Sequence, residues 1–209
     1  INSTPTRINK SHLVDLYEKV SWASPDRKLA ARVTERLYAE DDSPLQYKIN
    51  RLGGRSKQEK WILQAELFNE IHRWVKQDGS GDPPSASARE VKRRYEEVRD
   101  FLKAAARAFG EAWGSGGYVV TKPVTLKALV RVCAALAEAD ADPVEGRVDR
   151  WARRLAPWGE ARREFRTEGF YERFPAKGQV ERVARIYRDL CRRVGLENGA
   201  ARGREGDSE

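Results

Sequence analysis

Between Ser87 and Phe109 the chain leaves itself little conformational choice. Ser87-Ala88-Arg89-Glu90 has the spacing of a capping box, in which the serine hydroxyl and the glutamate three residues on satisfy each other's backbone N–H groups. Val91, Tyr95, Val98, Leu102, Ala105 and Phe109 then recur in steps of four and three. That period puts all six on one face of an α-helix, whereas a strand would need strict alternation. "GSGG" (114–117) is the expected stop. A helix this long with one apolar face must bury that face, and further helices are the natural partners.

The rest of the chain supplies them. Asn9 can cap a helix running through Glu18, with Leu13, Leu16 and Tyr17 inward. Ser24-Pro25-Asp26 is a start signal, an N-cap followed by proline in the first turn, and Leu29, Val33 and Leu37 mark the face that continues to about Ala39. Leu67, Phe68, Ile71, Trp74 and Val75 share one side of a helix over about 65–75. Three more are predicted over Leu126–Glu138, Pro143–Leu155 and Gly178–Val194. The last has Val180, Val183, Ala184, Tyr187, Leu190, Cys191 and Val194 on its stripe.

One stretch has a different period. Leu45, Tyr47 and Ile49 alternate, "LGGRSKQEK" supplies turn residues, and Trp61-Ile62-Leu63 resumes an extended pattern, which predicts a hairpin over about 45–63. The fold class expected is therefore mainly α with a short β-hairpin. Residues 1–76 form the first region, "QDGSGDPPSAS" (77–87) a flexible loop, 88–196 a helical subdomain, and 197–209 a small, polar tail expected to be disordered.

Composition narrows the function classes. The longest apolar runs are a few residues, far short of a membrane span, so no membrane partner is expected, and the cytoplasmic location expected rests on the two cysteines, which read as thiols kept in a reducing compartment. Cys133 and Cys191 both fall on apolar helix stripes and read as buried thiols. No Met occurs, and the opening Ile1 lacks the charged flank and apolar stretch of a secretory signal. The chain thus reads as the C-terminal part of something larger. His12 and His72 stand alone, without a second His or Cys at ligand spacing, so no metal site is expected. "LGGRSKQ" has glycines and a lysine but not the spacing of a phosphate-binding loop, and a hairpin turn needing glycine explains it more simply. No spacing of Ser, His and Asp suggests a nucleophile, so no catalytic residue is assigned.

The charge is the stronger signal. Net charge is +8 with a pI near 9.6, a balance that favours polyanions. From Pro143 to Leu196 fourteen Arg or Lys face eight Asp or Glu, and thirteen of the fourteen are arginine, the better fork for phosphate. Arg182, Arg185, Arg188, Arg192 and Arg193 lie off the apolar stripe of the last helix. Arg150, Arg153 and Arg154 add to the helix before it. Arg150, Arg153, Arg154, Arg182, Arg185 and Arg188 are the candidate nucleic-acid contacts. A solvated face carrying helix-stabilising pairs accounts for the same pattern.

The opening "INSTPTRINKSHLVDLYEKV" resembles a segment of the DGQHR-domain proteins, with Ile1, Asn2, Ile8, Ser11, Leu13, Asp15 and Leu16 at the matching places. "DSPLQYKINRLGG", "GGYVVTKPVTLKALVRV" and "FYERFPAKGQVERVARIYRDL" are similar to later pieces of that family, in the same order. The resemblance implies the helical C-terminal part of a ParB-like α/β protein, whose Asp-Gly-Gln-His-Arg signature would lie upstream. It implies a DNA-associated accessory or regulatory component of a bacterial DNA-modification or defence system, with DNA and other proteins of that system as partners. Homo-oligomerisation is left open. Asn2, Thr4 and Arg7 would sit where the ParB relatives hold nucleotide phosphate and metal, so nucleotide with Mg would belong to the full-length protein and no cofactor to this segment alone. An upstream nucleotide hydrolase and a helical partner-binding module are the alternatives.

Overall fold

Ser24 takes up an extended conformation and Pro25 stands in the first turn, so the chain enters its second helix as the local sequence dictates. The computed structural model describes residues 10–52, 58–77 and 86–196, and over these the protein is mainly helical with a short β element. Two compact units divide the chain, Ile1–Tyr95 and Glu96–Glu209.

In the first unit, α1 (Lys10–Lys19), α2 (Pro25–Ala39) and α3 (Gln64–Gln77) pack on one another. Leu29, Val33 and Leu37 of α2 and Leu67, Ile71 and Val75 of α3 are buried, as their spacing requires. The face of α1 differs from expectation. Ser11 and Val14 are buried, whereas Leu16 is exposed, because helices pack by the three- and four-residue ridge that meets the neighbour and not by hydrophobicity alone. Unit one also includes the start of α4 (Ala88–Phe109), where the Ser87 hydroxyl accepts the Glu90 N–H at 3.3 Å, as a capping box requires of its serine.

The β element is shorter than expected and has the opposite polarity. β1 (Ile49–Asn50) pairs with β2 (Ile62–Leu63) in parallel, Ile49 opposite Ile62 and Asn50 opposite Leu63, so the segment is not a hairpin. Leu45 and Tyr47 belong to a run of turns, with the Lys48 N–H on the Leu45 carbonyl and Tyr47 in the left-handed region at φ 54°. A tight two-residue turn joins only antiparallel strands, so it cannot connect this pair. As direct partners the two isoleucines share one face, where both are buried.

In the second unit the continuation of α4 is joined by α5 (Pro123–Ala139), α6 (Arg147–Leu155), α7 (Trp158–Ala161), α8 (Phe170–Arg173) and α9 (Gln179–Arg193). α4 ends at Phe109, ahead of "GSGG", because Gly110 adopts φ +56° and opens a 3₁₀ turn. α6 starts four residues later than its apolar pattern suggested, since Gly146 is left-handed and turns the chain just before it. α9 lies against α5, burying Val183, Ile186, Leu190 and Cys191. Phe101, Phe109, Trp158, Phe165, Phe170 and Phe174 are all buried, and neighbouring rings are in edge or tilted contact, such as Phe109 with Trp158 at 5.3 Å between centroids. The Trp158 indole N–H donates to the Leu190 carbonyl at 3.2 Å, tying this aromatic core to α9.

Cys133 and Cys191 are free and buried, as their positions on the apolar stripes implied. Among the described residues no helix is long and apolar enough to cross a membrane.

Candidate nucleic-acid interface

α9 turns its apolar stripe to α5, so the remaining positions, dominated by arginine, face outward. An open groove of about 440 Å³ runs beside it, lined by Arg173, Arg185, Arg188 and Arg192 together with Asp189, Tyr187 and Leu196. Asp189 sets the geometry. It is buried, and its carboxylate accepts from Arg192 at 2.5 Å, Arg193 at 2.7 Å and Arg173 at 3.3 Å. Glu164 takes the other sides of Arg173 and Arg193, the latter at 2.8 Å. Burial pulls the Arg193 guanidinium down, but Asp189 and Glu164 outweigh it and hold its pKa above the ordinary arginine value. Three guanidinium groups thus share two carboxylates, which fixes the arginines in place and leaves the cluster positive.

The six arginines singled out by sequence divide into three kinds. Arg150 and Arg182 serve the protein itself. Arg150 donates to the Glu145 and Pro143 carbonyls, both at 2.7 Å or less, and pairs with Asp140, which also accepts the Trp151 indole N–H. Arg182 donates to the Phe174 and Ala176 carbonyls at 2.9 and 3.2 Å. Arg185 is intermediate: it pairs with Glu181 at 2.7 Å one turn back but stays exposed and borders the groove. The Lys177 N–H and the Arg185 guanidinium together hold the Glu181 carboxyl below its ordinary pKa.

Arg153, Arg154 and Arg188 have no carboxylate partner among the described residues, and all three are exposed. Among the described residues Arg188 donates a hydrogen bond to the Ala184 carbonyl of its own helix at 3.3 Å, and Arg154 to the Val194 carbonyl at 3.4 Å. The second contact brings the end of α6 to the end of α9. The structure therefore gathers Arg185 and Arg188 into the groove with two residues that were not nominated, Arg173 and Arg192. For Arg192 the signal was present: an aspartate three residues earlier is a helix-pairing spacing. Arg173 carried none, because its partners lie nine and sixteen residues away.

Cys191 also borders the groove, and burial raises its thiol pKa to about 11 against the lowering effect of its bond with Tyr187. A thiol so protonated is no nucleophile near neutral pH. Asn2, Thr4 and Arg7, and the glycines of "LGGRSKQ", lie outside the described residues. No group of His, Cys, Asp or Glu among the described residues is placed to hold a metal ion. Comparisons with protein-family models, with curated proteins and with solved structures returned no match.

Proposed function

We propose that this chain contacts nucleic-acid phosphates through the arginine groove beside α9, and that it serves as a DNA-associated accessory component of a bacterial DNA-modification or defence system. The observation that carries the first half is the local charge. Five guanidinium groups (Arg173, Arg185, Arg188, Arg192 and Arg193) gather around three carboxylates (Glu164, Glu181 and Asp189), and Arg188 has none of its own. Guanidinium groups already held by carboxylates are pre-oriented, so less side-chain freedom is lost when phosphate oxygens bind their outer N–H groups. The second half rests on the resemblance to DGQHR-domain proteins.

Binding of this kind is dominated by counterion release, with log affinity falling against log salt by about 0.9 per phosphate neutralised on a duplex. The double variant Arg185→Gln/Arg188→Gln keeps good helix formers on an exposed face, so α9 should survive. Titration of labelled duplex DNA at several salt concentrations should show weaker binding and a slope flatter by up to about 1.8 units. An unchanged slope, with helicity intact by circular dichroism, would mean that these arginines only solvate the surface.

A further inference from the structure

Next to the arginine groove lies an aromatic ring that the fold leaves uncovered. α8 and the residue after it read Phe170-Tyr171-Glu172-Arg173-Phe174. Phe170 and Phe174, four apart, both enter the core, which turns Tyr171 outward at 61% exposure. The ring is not loose. Its edge contact with Phe170 has centroids 5.4 Å apart, and the Arg182 guanidinium backs one of its faces at 4.8 Å from the centroid, the ring staying mostly exposed. Arg182 is itself pinned by the Phe174 and Ala176 carbonyls, so ring and cation are held before any ligand arrives. From Arg182 the next two turns of α9 present Arg185 and Arg188 at the groove.

A fixed aromatic ring backed by a guanidinium plane, beside a row of arginines, suits a strand whose bases have free faces. In an intact duplex each base face is already stacked on its neighbour, so the ring would have nothing to meet. We propose that Tyr171, backed by Arg182, is a stacking platform for an unpaired base, while the phosphates of the same strand run along Arg185 and Arg188. The proposal rests on the phosphate-contact reading above and names its substrate class: single-stranded or locally opened nucleic acid. Alanine at an exposed position removes the platform with little effect on the core, and phenylalanine keeps the ring.

Fluorescence anisotropy with three labelled probes separates the terms: a single-stranded DNA, its blunt duplex, and the same single strand with abasic sites in place of bases. Wild-type protein should bind the natural strand more tightly than the abasic one. Tyr171→Ala should weaken binding to the natural strand by roughly 5- to 150-fold, the range expected for loss of one base–aromatic stack, and leave the other two probes unchanged. Tyr171→Phe should behave as wild type. Equal losses on all three probes would show that the ring only positions Arg182, and no loss on the natural strand would show that no base stacks there. Either result overturns the platform while leaving the phosphate reading intact if Arg185→Gln/Arg188→Gln still flattens the salt slope. Failure of the wild-type chain to bind any probe would overturn both.

Discussion

Replacing Asp189 by Asn tests whether the groove is held together by one buried charge. The Asp189 side chain is 6% exposed, and its three arginines are exposed by 22% (Arg193), 44% (Arg173) and 66% (Arg192). Removing one partner of a fully buried pair costs about 3–5 kcal/mol, because the other charge is left without compensation. Here the cost is smaller. Arg173 and Arg192 can return to water, Arg193 keeps Glu164 at 2.8 Å, and asparagine still offers one carbonyl oxygen. About 2 kcal/mol is the expected loss, arising mainly at Arg193. Arg192→Gln breaks a screened pair of the same network and should cost no more than about 0.5 kcal/mol. In a unit of this size each kcal/mol moves Tm by about 4 °C, so Asp189→Asn should lower it by roughly 8 °C. Thermal unfolding followed by tryptophan fluorescence is suitable, since Trp151 and Trp158 are buried in this unit. Loss of less than about 0.5 kcal/mol in Asp189→Asn, or an equal loss in Arg192→Gln, would refute the argument that burial of Asp189 makes the network matter.

Two further predictions concern stability. In the first unit, His72 Nε2 lies 2.6 Å from the Asp26 carboxylate; burial pushes the Asp26 pKa up, but bonds from Ser24 and His72 outweigh it and hold it below the ordinary 3.8. Its contribution is therefore complete above the unfolded value and lost as pH falls through the lower folded one, so the stability gap between wild type and Asp26→Asn should close in acid, and urea midpoints giving a constant gap from neutral pH to about 3 would contradict this. In the second unit, Gly169 sits at φ +78° with open space around it, whereas Gly178 is extended at the N-cap of α9. Gly169→Ala should cost about 1–2 kcal/mol through backbone strain alone. Gly178→Ser should stabilise by up to about 1 kcal/mol, and Tm shifts of the same sign in the two variants would count against this reading.

What the sequence by itself determined was wherever neighbours within a turn decide the conformation. Ser24-Pro25 starts α2, Ser87 and Glu90 start α4, and the stripe from Val183 to Cys191 faces α5. These are local matters, settled by caps and by a period of 3.6 residues. The direction of the β pair was not local. Alternation around Leu45, Tyr47 and Ile49 is compatible with strand or turn, and it carries no information on which way the Ile49 and Ile62 strands run relative to each other, which the structure shows to be parallel. The short helices between Trp158 and Arg173 escaped for a related reason, since segments of four residues are too short to show a period and exist because their aromatic rings fill the core. The charges divided in the same way. Composition and helix phase brought out the arginines, but which of them remain available to a ligand depended on carbonyls and carboxylates brought from elsewhere in the chain. Arg150 is engaged by the loop at 140–145, and Arg193 by Glu164, 29 residues away. Tertiary structure alone could decide that, because an ion pair forms between neighbours in space, and sequence spacing identifies those neighbours only within a single helix.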